Sequence, residues 1–312
     1  NATVTLTAEQ KPGASQQRAA PQQAPASGNG AQAGPARPGG GTLRGIENVH
    51  NIVAVASGKG GVGKSTTAVN LALGFAANGL RVGILDADIY GPSIPRLLGL
   101  TGRPDVDDNN ILKPMDAFGL KAMSMGFLIA EDEPMIWRGP MVIQALTQML
   151  RDVDWGELDV LVVDMPPGTG DAQLTMAQQV PLAGAVIVST PQDLALIDAR
   201  KGLNMFRKTN VPVLGIVENM SYFLCPKCGE RSEIFGHGGA RTEADKLGVP
   251  LLGEVPLEMA IRSRSDAGQP IVASEPDSPH AQVYRDIAAK SWTELTGEQA
   301  KAQTSRPRIV IE

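Results

Sequence analysis

The sequence contains little cysteine, no excess of positive charge and no long apolar run. Two cysteines in 312 residues exclude a disulfide framework and favour a reducing, cytoplasmic compartment. No stretch of about 18 apolar residues could cross a membrane as a helix, and the first residues lack the charged and apolar segments of a secretory signal. The formal net charge of -5 argues against a protein that coats nucleic acid or anionic lipid. We therefore expect no nucleic-acid partner and no stable membrane association.

Composition divides the chain into three parts. Residues 1–43 are mostly Ala, Pro, Gln, Gly and Ser, and they predict a flexible linker because they offer a core almost no large apolar side chain. The alternation of Val4 and Leu6 has two interpretations, the last strand of a small upstream domain or a random tail. We assign residues 44–297 to one folded domain and residues 298–312 to a polar tail.

From residue 46 onward, short apolar runs alternate with amphipathic stretches. This alternation is typical of β-α-β units around a buried parallel sheet. The clearest runs cover residues 52–56, 82–85, 160–163, 185–188 and 213–217. Helices are predicted over residues 65–78, 141–150, 172–179, 193–208, 240–247 and 280–295. The predicted fold class is α/β, a doubly wound and mostly parallel sheet with helices on both faces.

A glycine-rich segment follows the first apolar run and opens onto the first predicted helix. Residues 58–65 match the pattern G-x-x-x-x-G-K-[ST], which binds nucleotide phosphates between a strand and a helix. In such a loop backbone N–H groups face the phosphates, the lysine reaches the β and γ phosphates, and the hydroxyl binds Mg²⁺. A chance glycine-rich turn is the alternative, and the flanking strand and helix argue against it. The candidate nucleotide ligands in this loop are Gly58, Lys59, Gly60, Gly61, Val62, Gly63, Lys64, Ser65 and Thr66.

A second lysine, Lys59, lies inside this loop, where ordinary phosphate binding does not require one. Residues 59–66 resemble the deviant phosphate loop of the ATPases related to MinD, ParA and the nitrogenase iron protein. The resemblance implies that Lys59 crosses a dimer interface and acts at the partner's nucleotide as a catalytic cation, as an arginine finger does. The alternative is an exposed loop lysine.

Three acidic residues end predicted strands, at the edge where an open parallel sheet binds its ligands. Asp164 has the position of a Walker B carboxylate, which with Ser65 would hold Mg²⁺, and residues 165–171 would then form a nucleotide-sensing loop. Asp88 resembles the switch residue that orients the attacking water, and Asp86 is its neighbour on the same face of the strand. A turn or helix-cap role is the alternative for Asp86 and Asp88.

Cys225 and Cys228 form a C-x-x-C motif in a predicted insertion at residues 221–236. A redox pair of the thioredoxin type begins a helix, whereas this pair lies between short extended segments, so metal binding is favoured. Zinc or a [4Fe–4S] cluster generally requires four ligands, so the missing pair would come from a second subunit. The alternatives are an internal redox pair, a zinc knuckle completed by His237, and two thiols without a role.

These motifs together resemble those of the iron–sulfur cluster carrier ATPases of the Mrp, ApbC and Nbp type, within the MinD and ParA class. The resemblance covers residues 45–295 and rests on the phosphate loop and the segments 86–93, 164–171, 218–221 and 225–228. It implies a homodimer that binds and hydrolyses ATP, carries a labile [4Fe–4S] cluster between subunits on Cys225 and Cys228, and transfers it to apo-proteins. It also implies that Asn219 hydrogen-bonds the adenine base, for which a turn asparagine is the alternative.

Other members of the wider class have different functions. A MinD-like regulator at a membrane needs an amphipathic C-terminal helix with a basic face, and the helix predicted at 280–295 carries acids and bases together. A ParA-like partition ATPase binds DNA, which the acidic net charge and the cysteine pair disfavour. A redox enzyme like the nitrogenase iron protein would space its cluster ligands differently. A spatial-regulation ATPase at membrane or DNA is therefore the alternative function.

Overall fold

A computed structural model describes residues 46, 48–128, 139–236 and 238–304. The strands are β1 (Ile52–Ala56), β2 (Val82–Asp86), β3 (Met115–Ala117), β4 (Leu120–Ser124), β5 (Val160–Asp164), β6 (Gly184–Ser189), β7 (Val213–Glu218), β8 (Phe223–Leu224), β9 (Arg231–Ser232) and β10 (Leu251–Glu254). The helices are α1 (Lys64–Ala77), α2 (Ile94–Leu97), α3 (Gly139–Arg151), α4 (Asp171–Gln179), α5 (Asp193–Lys208), α6 (Gly239–Leu247), α7 (Met259–Asp266), α8 (Ile271–Ser274) and α9 (Pro279–Thr304). None of these described helices combines the length and the apolar character that a membrane span requires.

Eight of the strands form one sheet in the order β10-β7-β6-β1-β5-β2-β4-β3. Neighbours in the sheet are parallel, except that β3 pairs antiparallel with β4. Strands β8 and β9 form a separate antiparallel hairpin. The order confirms the predicted α/β class with a mostly parallel sheet.

Both faces of the sheet carry a hydrophobic core, because successive side chains of a strand point to opposite faces. In β1, Ile52, Ala54 and Ala56 belong to one cluster, whereas Val53 and Val55 belong to the other. Side chains of α3, α4, α5 and α6 complete the first cluster, and those of α1 and α9 complete the second. Helices therefore cover both faces, as predicted, and this double burial explains why the strands read as continuous apolar runs.

All the predicted strands are present, and the sheet also contains β3, β4 and β10, which the sequence analysis did not identify. The apolar run of β4 is interrupted by Lys121 and ends at the polar Ser124. Strand β10 reads Leu-Leu-Gly-Glu and β3 reads Met-Asp-Ala, so both are too short for a periodic pattern. Strands β4 and β10 pair with β2 and β7, which are distant in sequence, whereas β3 forms a short hairpin with β4.

The C-terminal helix is longer than predicted. Helix α9 continues to Thr304, whereas the prediction ended it at residue 295 and assigned residues 298–312 to a polar tail. The added residues are mostly Glu, Gln, Ala and Lys, which are good helix formers, and Gln299 donates a hydrogen bond to the Asn51 side chain before β1. The predicted linker at 1–43, the residues 305–312 and His237 lie outside the described residues.

The carboxyl ends of β1, β5 and β2 lie side by side and position the candidate site. Asp164 of β5 is paired in register with Val55 of β1 on one side and with Asp86 of β2 on the other. The glycine-rich loop leaves β1 at the same edge and enters α1 at Lys64. The sheet order therefore brings the phosphate loop and the strand-ending acids together.

Candidate functional site

The glycine-rich loop turns between β1 and α1 in backbone conformations that favour glycine. Gly61 and Gly63 have φ angles of 80° and 79°, in the left-handed region where a side chain would be strained. Helix α1 begins at Lys64. Its N-cap residue is Gly63, which has no side chain that could hydrogen-bond the N–H groups of the first turn. The N–H groups of this turn and the helix dipole therefore face the loop, an arrangement that suits phosphate.

Lys64 lies at the centre of a buried charge cluster. Its side chain is 6% exposed, and its Nζ lies 2.6 Å from Asp164 Oδ1 and 3.9 Å from Asp88 Oδ2. The same Nζ is 3.2 Å from Ser65 Oγ. The fold thus brings the loop lysine and hydroxyl together with Asp164 at the end of β5 and Asp88 in the loop after β2.

Asp164 has the features of a magnesium ligand. It is fully buried, and its second carboxylate oxygen, Oδ2, has no hydrogen-bond partner among the described residues. Burial raises the pKa of Asp164, while the Lys64 ammonium and the Ser65 hydroxyl oppose that rise. Mg²⁺ prefers hard oxygen ligands, so an unpaired buried carboxylate oxygen beside a hydroxyl fits this ion. Ser65 and Asp164 are the residues that would hold it.

Asp88 faces the same lysine from the loop that follows β2. Burial raises the pKa of the Asp88 carboxyl, and the nearby Lys64 opposes that rise. A cavity of about 300 Å³ opens beside Asp88 and is lined also by Gly60, Gly61 and Pro167. The carboxylate therefore borders the space in front of the phosphate loop, and its role in orienting water stays a prediction.

Asp86 shapes the loop that carries Asp88. Its carboxylate accepts N–H hydrogen bonds from Asp88 (3.1 Å), Ser93 (2.9 Å) and Ile94 (3.1 Å), and an O–H bond from Ser124 (3.0 Å). Burial and the neighbouring Asp164 carboxylate raise the pKa of Asp86 to about 7, against the opposing effect of the Ile94 and Asp88 N–H donors and of Lys64. Ile94 begins α2, so the contacts favour the cap interpretation for Asp86. Ser124 was missed because β4 itself was not predicted.

Asn219 follows β7 and supports the phosphate loop. Its side-chain Nδ2 donates a hydrogen bond of 2.9 Å to the Val62 carbonyl. The packing is close, since a Cβ atom at Gly63 would lie 2.2 Å from the same Nδ2. The proposed contact with adenine is not tested by this geometry and stays a prediction.

The remaining loop residues differ in their surroundings. Thr66 lines the cavity, and Gly58 packs against α5 so closely that a Cβ would lie 2.1 Å from the carbonyl carbon of Asp198. Lys59 is partly exposed, and its ammonium has no ion pair with any residue that the structure describes. Its action on a partner's nucleotide involves a second copy of the chain and stays a prediction.

The cysteine motif occupies the turn of the β8–β9 hairpin, not the start of a helix. The Cys225 N–H donates to the Glu230 carbonyl at 2.9 Å, and the Gly229 N–H donates to the Cys225 carbonyl at 2.8 Å. Backbone N–H groups of Lys227 and Cys228 hydrogen-bond the Cys225 sulfur and lower the pKa of that thiol. These N–H groups stabilise the thiolate. The position of the motif between two strands, not at a helix start, argues against the thioredoxin-type alternative.

Both cysteines lie at least partly at the surface. Cys225 and Cys228 are free thiols, the first partly exposed and the second exposed. Across the described ranges, no group of three or more His, Cys, Asp or Glu side chains could hold a metal ion. The pair therefore supplies two ligands, and His237 as a third lies outside the described residues.

Comparison with known proteins identifies the family. The ParA sequence model, described as NUBPL iron-transfer P-loop NTPase, matches residues 48–292. The chain belongs to this family. The resemblance drawn from the motifs is confirmed, and the protein is a P-loop NTPase.

Two curated relatives show how far the similarity extends. The iron–sulfur cluster transfer protein NUBPL of Dictyostelium discoideum is 54% identical over 270 residues, 85% of this chain and 84% of that protein. The iron–sulfur cluster carrier protein of Escherichia coli strain K12 is 55% identical over 252 residues, 80% of this chain and 68% of that protein.

Solved structures support the same fold. A nucleotide-binding protein from Archaeoglobus fulgidus, in complex with ADP, is 42% identical, with a TM-score of 0.67 over 77% of this chain and 94% of that chain. The cell-division ATPase MinD of Pyrococcus furiosus is 22% identical, with a TM-score of 0.58 over 78% of this chain and 99% of that chain. At that identity the MinD likeness shows the fold alone.

Proposed function

We propose that this iron-transfer NTPase binds and hydrolyses ATP and carries a [4Fe–4S] cluster, held between two copies of the chain, to apo-proteins. The main observation behind the proposal is the hairpin turn that presents Cys225 and Cys228 at the surface of a chain that also has a phosphate-binding loop. Relatives named as iron–sulfur cluster transfer and carrier proteins support the nature of the cargo.

The ligand count supports a homodimer. A [4Fe–4S] cluster is generally held by four thiolates, and this chain has two cysteines. A two-fold axis close to the hairpin would bring two identical pairs together, because the same surface of each copy meets at such an axis. Lys59, which has no ion pair within the described part of the chain, is available to the second copy.

Each residue of the phosphate site has a role in this proposal. The loop amides and Lys64 bind the phosphates, and Ser65 and Asp164 hold Mg²⁺. When bound, Mg²⁺ neutralises charge on the transferring phosphoryl group. Asp88 orients the attacking water, and Lys59 of one copy neutralises developing charge at the nucleotide of the other.

Anaerobic reconstitution with iron and sulfide tests the cluster. The wild type should bind about four irons and four sulfides per dimer, with a broad visible absorbance and a native mass of two chains. The Cys228→Ala variant should lose the bound iron and sulfide, the visible absorbance and the native mass of two chains. Lys227→Ala is the matched control, because it changes the same turn but keeps the backbone N–H and both thiols.

Other results would redirect the proposal. Full iron content in Cys228→Ala would remove the ligand assignment. Tight zinc, or no metal in a chain that still dimerises with ATP, would favour the spatial-regulation alternative. Sedimentation with liposomes and a salt-sensitive shift of plasmid DNA, each with and without ATP, then separate a membrane role from a DNA role.

The cellular compartment is a further part of the proposal. The low cysteine content favours a reducing cytoplasm. A relative from Arabidopsis thaliana, 56% identical over 244 residues, is named as a mitochondrial iron–sulfur protein required for NADH dehydrogenase. Cell fractionation of the native protein decides between the cytoplasm and the mitochondrion.

A further inference from the structure

The end of β7 carries two adjacent buried polar side chains that act on different parts of the molecule. Glu218 is 1% exposed and Asn219 is 7% exposed. Asn219 donates its amide hydrogen bond to the Val62 carbonyl in the phosphate loop. Glu218, the last residue of β7, instead hydrogen-bonds Ser221 and Ala240, which lie outside that loop.

The Glu218 carboxylate holds both ends of the segment that contains the cysteines. Its Oε1 accepts a hydrogen bond of 2.6 Å from the Ser221 hydroxyl, just before β8. Its Oε2 accepts a hydrogen bond of 2.7 Å from the Ala240 N–H, in the first turn of α6. The chain between these contacts forms the β8–β9 hairpin with Cys225 and Cys228. One side chain therefore contacts both the point where this hairpin leaves the domain and the point where it returns, beside backbone hydrogen bonds such as that from the Ser221 N–H to the Val255 carbonyl.

A side chain with two acceptor oxygens suits the position of Glu218. The N-cap of α6, Gly238, has no side-chain oxygen, so in the described structure the first turn of the helix is capped by Glu218 from β7. An anion at a helix N-terminus is stabilised by the helix dipole. Burial of a carboxylate is unfavourable unless its oxygens are hydrogen-bonded, and both oxygens of Glu218 are.

A second attachment places the hairpin on the neighbouring strand. Arg231 of β9 lies 3.3 Å from Glu254 Oε2, at the end of β10. Glu254 is paired in register with Glu218 in the β10–β7 ladder. The cysteine hairpin is therefore attached at the carboxyl ends of two adjacent strands, β7 and β10. Asn219, the residue after β7, also contacts the phosphate loop.

We propose that Glu218 is a positioning residue that couples nucleotide occupancy of the phosphate loop to the geometry of the cysteine hairpin. The inference rests on the proposed function, in which nucleotide and cluster act in one chain. A change in the loop that moves Val62 displaces Asn219, and the adjacent Glu218 transmits this displacement to Ser221 and Ala240.

Alkylation of the cysteines measures the coupling without iron. The rates of labelling of Cys225 and Cys228 by iodoacetamide are compared in the full chain with and without saturating MgADP or a non-hydrolysable ATP analogue. In the wild type, bound nucleotide should change the rate of cysteine labelling about fivefold or more. A fivefold change is about the lower limit of typical coupling between two sites. Glu218→Gln should bring this ratio close to one with nucleotide affinity unchanged, because the amide cannot accept from both donors.

Glu243→Gln is the matched control. Glu243 of α6 is also a buried carboxylate, and it accepts hydrogen bonds of 2.6 Å and 2.8 Å from Arg200 of α5 and none from the β8–β9 hairpin within the described residues. The Glu243→Gln variant should have a lower thermal stability than the wild type and the same ratio of labelling rates with and without nucleotide. Ser221→Ala removes the entry contact alone and should reduce the ratio partly, which keeps the test valid if Glu218→Gln does not fold.

The outcomes separate this inference from the proposed function. A ratio near one in the wild type, an unchanged ratio in both Glu218→Gln and Ser221→Ala, or equal losses in Glu218→Gln and Glu243→Gln would overturn the coupling role. Failure to bind a cluster would overturn the carrier proposal alone, since the labelling assay uses the thiols themselves.

Discussion

Replacement of Lys64 by methionine should destabilise the nucleotide-free protein, apart from its effect on phosphate binding. Methionine keeps much of the length of the side chain and removes the charge. The Lys64 ammonium lies 2.6 Å from Asp164 and 3.9 Å from Asp88, and its loss leaves a fully buried carboxylate without its cation. Removal of one partner of a buried ion pair costs about 3–5 kcal/mol.

A second substitution tests the cause of this loss. Asp164→Asn removes the unpaired charge, so the double variant should recover about half of the lost free energy of unfolding or more. Lys201→Met is the control, because Lys201 is 62% exposed and forms a surface pair of 3.0 Å with Asp198. The Lys201→Met substitution should lower the free energy of unfolding by less than about 1 kcal/mol.

Urea and thermal unfolding in EDTA, without nucleotide, measure both effects. For a domain of this size, the expected loss corresponds to a decrease in Tm of roughly 10 °C in Lys64→Met. A free energy of unfolding within about 1 kcal/mol of the wild type would refute the buried-pair argument. Additive effects of the two substitutions in the double variant would refute it as well.

Three further predictions concern the proposed trans lysine, the acid stability and the core. Lys59→Ala should keep the nucleotide Kd and slow turnover by on the order of 10³-fold in a phosphate-release assay, and equal turnover would exclude the trans role. Arg81 holds the pKa of Asp159 at about 2, below its ordinary 3.8, so this contribution to stability is complete above the ordinary value and is lost as the pH falls towards 2. The difference in urea midpoint between wild type and Asp159→Asn should therefore shrink over that range, and a constant difference would contradict the assignment. Tyr284→Phe should be neutral or stabilising within about 1 kcal/mol, because the fully buried hydroxyl has no hydrogen-bond partner of good geometry among the described residues. Tyr284→Ala should cost about 3–5 kcal/mol in the same unfolding assay, and equal losses in both variants would contradict the packing argument.

Local patterns in the sequence were sufficient for the central strands and the phosphate loop. The central strands are covered by helices on both faces, so their side chains are apolar without interruption and the runs are visible along the chain. The phosphate loop is contiguous, and its glycines, Lys64 and Ser65 each have a chemical role that is recognisable from residue type and spacing. The cysteine pair was recognised for the same reason.

Contacts between distant segments were decided by the tertiary structure. Lys64 and Asp164 are 100 positions apart, and they meet because β5 pairs in register with β1. The hydrogen bonds of Asp86 depend on Ser124, which ends a strand that its mixed composition concealed. Helix α9 continued past its predicted end into a segment that composition alone had assigned to a tail.

The anchoring of the cysteine hairpin shows the same division. A phosphate loop and a C-x-x-C turn could be recognised from the order of residues alone, because each is encoded by adjacent residues. The contacts of Glu218 with both ends of the hairpin, and of Asn219 with the phosphate loop, became visible in the folded chain. Residue type and periodicity report local conformation and burial, whereas the partner of a buried carboxylate is fixed by the order and register of strands far apart in the chain.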